Sequence, residues 1–156
     1  MDLSALTHRE SSRIAQNQRE IAMEAGENIV VDTVLPNLTI AKMLVKELEG
    51  KGYSIHLIDV EASFEVCSAR ITDRWVKACQ EAIKSADGLG GRWVPSEYVR
   101  GLFNDDGTSV SEGIAKTIAE SSSAVMQYQV FRTPELDKDP ILELDVSRKG
   151  RGKALR

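Results

Sequence analysis

Apolar positions along the chain fall into alternating helical and strand-like periods. From Ser4 to Ala25, Ile14, Ile21, Ala22 and Ala25 recur at three- and four-residue spacing, the stripe of a helix. Thr7 and Glu10 are spaced as a capping box, and Gly26 stands where helices commonly end. The next stretch, Asn28-Ile29-Val30-Val31-Asp32-Thr33-Val34-Leu35-Pro36-Asn37, has a short apolar run that ends in a carboxylate, a hydroxyl and a proline turn. This predicts a strand covered on both faces, with Asp32 and Thr33 at its carboxyl end, where open α/β sheets bind ligands. Leu38 to Gly50 reads as a second helix with Ile40, Met43, Leu44 and Leu48 on one face. Tyr53 to Val60 reads as another strand through Ile55, Leu57, Ile58 and Val60. Strand, helix and strand with short connections predict a right-handed βαβ unit and a parallel pair.

Ser63 to about Ala86 carries a broad helical stripe of Phe64, Val66, Cys67, Ile71, Trp75, Val76, Cys79 and Ile83, with Ser63 as its cap. Arg70 and Arg74 lie one turn apart on it. Asp87 to Pro95 is glycine-rich around Arg92 and predicts a mobile flap. A helix from Ser96 to Phe103, a turn-rich link over Asn104 to Ser109 and a helix from Ser111 to Glu120 follow. The alternation of Val125, Met126, Tyr128 and Val130 makes Ala124 to Arg132 a strand, and Ile141 to Val146 a final edge strand. The sum is α/β: three layers, a mostly parallel sheet and an antiparallel finish, in one domain over residues 1–146. The basic end, residues 147–156, reads as a disordered, solvated tail.

Composition narrows the class. The 156 residues are 42% hydrophobic and 28% charged, the balance of a globular domain. A net charge of -4 argues against nucleic acid as a partner, and no apolar run reaches the roughly 18 residues that span a bilayer. Without a signal-peptide core, and with only Cys67 and Cys79 as thiols, the expectation is a cytoplasmic protein with no membrane attachment. His8 and His56 have no ligand at metal-binding spacing, and His56 is expected in a covering, packed layer.

What remains for chemistry is electrostatic: Asp32 and Thr33 at a strand end, Arg74 along a helix and Arg92 in a flap. Phosphoryl transfer uses such parts, because it is mostly positioning plus cancellation of phosphate charge by metal and arginines. From the residues alone Asp32 reads equally as a turn cap, and Arg70 with Arg74 as a solvated helix face. Gly88-Leu89-Gly90-Gly91 is not a phosphate-cradling loop, since no Gly-Lys-Ser/Thr follows.

The ordered segments Gly26-Glu27-Asn28-Ile29-Val30-Val31-Asp32-Thr33, Lys51-Gly52-Tyr53, Ile71-Thr72-Asp73-Arg74-Trp75 and Arg92-Trp93-Val94-Pro95 resemble those of zeta toxin family kinases. The similarity runs from about Ala5 to Leu102, with residues 63–103 as the lid and arginine region. It implies a P-loop kinase type of sheet and transfer of the ATP γ-phosphate, with Mg2+, to a UDP-amino sugar such as UDP-N-acetylglucosamine. It also implies an antitoxin protein as a partner. By the same resemblance Arg74 and Arg92 grip ATP phosphates, Asp32 is the metal-side acid, and Thr33 and Gln16 face substrate. Gln16 stands where the family has an acid, Val34 where it has a threonine, and Pro36 where it has a basic residue. The family's P-loop, lysine and catalytic aspartate would precede Met1, and no Gly-x-x-x-x-Gly-Lys-Ser/Thr occurs in the chain. The expectation is therefore a sheet incomplete at its N-terminal side and a chain that is inactive as a kinase on its own. A nucleotide-binding or protein-binding α/β module without catalysis, and an assembly partner that supplies part of a sheet, are the alternatives.

Overall fold

A computed structural model describes residues 3–35, 37–85 and 90–156 of the chain. They form two compact units: Val34–Cys67 with Glu97–Arg156, and Met1–Thr33 with Ser68–Ser96.

The first unit is built on one helix stripe. Ile114, Ala115, Ile118 and Ala119 recur at helical spacing and are all buried. Their helix is α5 (Val110–Ser121), started by Ser109, whose hydroxyl accepts from the Glu112 amide at 2.9 Å. The stripe packs with Val125, Tyr128 and Val130 of β2 (Val125–Thr133) and with Ala41 of α2 (Leu38–Gly50). Alanines at 115 and 119 let the helix backbone approach the sheet closely. In α2 the cap is Asn37, which accepts from the Thr39 and Ile40 amides at 2.8 and 3.3 Å.

The sheet order is β1-β2-β3. Strand β1 (Ile55–Ala62) runs parallel to β2, from Ile55 opposite Val125 to Ala62 opposite Thr133. Strand β3 (Ile141–Ser147) runs antiparallel, from Gln127 opposite Ser147 to Arg132 opposite Ile141. The class is α/β as expected, but the sheet is mixed, with one parallel and one antiparallel pair, rather than mostly parallel. On the sheet face opposite Leu57 and Asp59, Ile58 and Val60 are 52% and 63% exposed.

The organising strand expected at Ile29–Val31 is not there. Residues 27–35 carry no strand, and Val30 is 97% exposed. A β-branched run has only a preference for pleated backbone; pairing depends on a neighbour, and the parallel partner of β1 is β2 instead. Beyond this segment Leu35 has φ 43, a left-handed conformation that costs a side-chain-bearing residue about 1–2 kcal/mol. Its side chain packs on the core cluster, which offsets that cost.

In the second unit, α1 (Leu3–Glu24) begins before Thr7, so Thr7 lies inside the helix and is not its cap. Gly26, at φ 70, closes α1: the Glu27 amide reaches Ala22 O at 3.0 Å and the Gly26 amide reaches Met23 O at 3.2 Å. Helix α3 (Phe64–Lys84) starts in the first unit, where the Ser63 hydroxyl accepts from the Val66 amide at 3.3 Å, and continues into the second from Ser68. Helix α4 (Ser96–Arg100) is shorter than the Ser96–Phe103 span predicted. Residues 86–89 of the expected flap lie outside the described residues.

The basic end is held to the first unit rather than standing off in solvent. Arg148 donates to Ala119 O at 2.7 Å, Val125 O at 3.0 Å, Glu120 O at 3.3 Å and the Lys153 carbonyl. Two of these acceptors are end carbonyls of α5, which lack helical partners and carry the negative end of its dipole. Arg151 similarly reaches Gly52 O and Tyr53 O at 3.0 and 2.7 Å. Replacing Arg148 by alanine should lower unfolding stability by about 2–3 kcal/mol in urea titration, the scale of charge-assisted hydrogen bonds. Arg148→Lys should not restore it, because a point ammonium cannot reproduce the planar fork.

Candidate functional site

All five residues singled out for phosphate or substrate chemistry lie in the second unit: Gln16, Asp32, Thr33, Arg74 and Arg92. Two of them are brought together through their neighbours. Trp75 on α3 and Trp93 meet edge to face, with ring centroids 5.1 Å apart and planes at 70°. Gly91 makes this approach possible. A Cβ there would lie 2.7 Å from Trp75 O, 2.9 Å from Trp75 Cα and 3.1 Å from Trp75 Cδ1. The segment carrying Arg92 therefore lies directly against the helix turn that carries Arg74.

Both arginines are exposed. Among the described residues, neither guanidinium is held by an ion pair or a hydrogen bond. The acid beside Arg74 is engaged elsewhere: Asp73 pairs with Lys77 at 2.6 Å and holds that ammonium's pKa above its ordinary value. Two cations on adjacent, pinned segments suit a polyanion, and guanidinium forks match phosphate oxygens two at a time.

The other three residues stand differently from their expected setting. Asp32 and Thr33 are exposed on a segment outside the sheet, not at the end of a buried strand. Gln16 is exposed on α1, and its amide donates to Glu20 Oε1 at 3.1 Å. Among the described residues no group of three or more His, Cys, Asp or Glu side chains could hold a metal ion. Asp32 would thus be a single carboxylate ligand, a donor set that fits Mg2+, which keeps its waters and takes further oxygens from phosphates.

The family model described as Zeta toxin matches residues 1–131. The chain belongs to the zeta toxin family. No curated protein and no solved structure matches it in comparison. For this zeta toxin family member, no described helix is long and apolar enough to cross a membrane.

Sequence reasoning missed the parts that support the arginines. Trp75 read as one member of an apolar stripe and Gly91 as loop flexibility, whereas the two make a contact that admits no side chain. His56 was expected in a packed layer; it is exposed, and its Nε2 lies 2.8 Å from Gln129 Oε1. A second polar group also escaped notice: Asp59 and Glu61, buried on one face of β1. The signal was available, because the inward period of Leu57 continues into two acids.

Gly91→Ala should push this segment off α3, since backbone at 2.7–2.9 Å cannot yield as a flexible side chain would. The chain's two tryptophans are this pair, so intrinsic tryptophan emission should shift in Gly91→Ala while the far-ultraviolet dichroism stays unchanged.

Proposed function

We propose that this zeta toxin family chain serves phosphoryl transfer from ATP to a hydroxyl of a UDP-amino sugar such as UDP-N-acetylglucosamine. The observation that carries the reading is the Trp75–Trp93 contact, which sets the segments that carry Arg74 and Arg92 against each other in a chain of that family. Arg74 and Arg92 are the electrophilic pair: their guanidiniums bind phosphate oxygens and cancel the charge that develops during transfer. Asp32 is the metal-side acid. Bound Mg2+ would supply charge neutralisation between the phosphates. Thr33 and Gln16 face the sugar nucleotide; Gln16 can donate to and accept from hydroxyls but cannot take up a proton, so it binds rather than acting as a base. A P-loop kinase type of three-layer sheet with a further strand belongs to the same reading, supported by the exposed Ile58 and Val60. So do an antitoxin protein as partner and a cytoplasmic location.

The absence of a Gly-x-x-x-x-Gly-Lys-Ser/Thr motif favours a second reading: these 156 residues bind a nucleotide or protein and supply arginines without a phosphate cradle of their own. Transfer of label from ATP with Mg2+ to a panel of UDP-sugars separates the two. Turnover that falls about a thousandfold or more in Arg92→Ala supports the kinase reading. Turnover unchanged in Arg92→Ala contradicts the role of that arginine, and no turnover by the parent chain leaves the second reading in its place.

A further inference from the structure

Helix α5 seats its first turn over the C-terminal half of β1, and two carboxylates lie buried there. Asp59 and Glu61 are 7% and 4% exposed. They alternate onto the same strand face, and two like charges buried side by side are not both ionised cheaply, so the pair favours keeping one proton. The groups around them are neutral or negative. From β2, the Tyr128 hydroxyl donates to Asp59 Oδ2 at 3.2 Å. From α5, the Ser111 hydroxyl donates to Glu61 Oε1 at 3.4 Å, and Glu112 adds a third carboxylate whose Oε2 is buried without a partner. The nearby cation, Arg132 of β2, is already committed to Glu112 Oε1 at 2.8 Å and to Glu143 Oε2 of β3 at 2.6 Å.

We infer that Asp59 and Glu61 share one proton beneath the N-terminal turn of α5, and that loss of this proton loosens the turn from the sheet. With the proton in place, the pair carries a single charge and Ser111 can anchor the helix on Glu61. Without it, three carboxylates face one arginine, which is already paired with Glu112 and Glu143. The inference does not rest on the kinase reading, since every residue in it belongs to the first unit.

The direction of the pH response follows from where the proton is held. Burial first, then the hydrogen bond to Glu61 and that residue's charge, raise the Asp59 pKa from 3.8 to about 7. The same burial and the Asp59 charge push the Tyr128 phenol up as well, so it stays neutral throughout. Between these two values the closed state binds a proton that the open state releases, so opening becomes easier as pH rises. One proton allows at most a tenfold change in the opening constant per pH unit.

Hydrogen exchange of the α5 amides over residues 110–115, corrected for intrinsic exchange, reads this in the intact chain. Protection should fall from about pH 4 to about pH 7 and level off above. Asp59→Asn supplies a neutral donor to Glu61 in place of the shared proton, so its protection should be flat across the same range. Glu61→Gln removes the second acid while Asp59 stays buried, so it should move the fall in protection to lower pH, and it serves as the test if Asp59→Asn does not fold. A wild-type profile without slope, a slope retained in folded Asp59→Asn, or an unshifted profile in folded Glu61→Gln would overturn the inference.

Discussion

The burial of one face of α5 against the parallel pair β1–β2 constrains most of the first unit. Ile114, Ala115, Ile118 and Ala119 leave water together on the face formed by Val125, Tyr128 and Val130, with Ile55 and Leu57 of β1 packed beside them. Seating the helix fixes what lies at both of its ends. At the C-terminal end the freed carbonyls of Ala119 and Glu120 are taken by Arg148, which draws the basic segment in. At the N-terminal end the first turn covers Asp59 and Glu61, so two acids that would be unremarkable on a surface become a buried, proton-sharing pair. Packing thus creates the electrostatics, and the packing in turn becomes sensitive to protons.

The second unit is organised by a different contact. Its helix α1 leaves Ile14 and Ile21 more than half exposed, so apolar burial along that helix is sparse. Local precision comes instead from the paired indoles of Trp75 and Trp93, with Gly91 tight on the α3 backbone. The segments that carry the exposed Arg74 and Arg92 are the two that this contact joins.

The extent to which the sequence disclosed this differs by region. Helix α2 is legible to the residue because Asn37 and Gly50 punctuate it, and α5 and β2 because their apolar periods are clean. The failure at Ile29–Val31 has a physical cause: strand propensity is local, but a ladder needs a partner, and nothing in three β-branched residues tells whether one is present. The contact that joins the segments carrying Arg74 and Arg92 was not legible. An edge-to-face ring pair between residues far apart in sequence leaves no periodic trace, and a glycine needed for close approach looks like one needed for flexibility. Asp59 and Glu61 were readable in principle, since acids on the inward period of a strand contradict its pattern.

The central claim is that the Trp75–Trp93 clamp presents Arg74 and Arg92 to the phosphates of ATP. Titrating the chain with ATP and Mg2+ while following tryptophan emission tests it most directly, because both tryptophans sit in the clamp. The account predicts a saturable change in emission whose midpoint moves about a hundredfold higher when both arginines are replaced by alanine, the loss of two charge-assisted contacts. An emission signal indifferent to ATP, or a titration unchanged in the double variant, would contradict it.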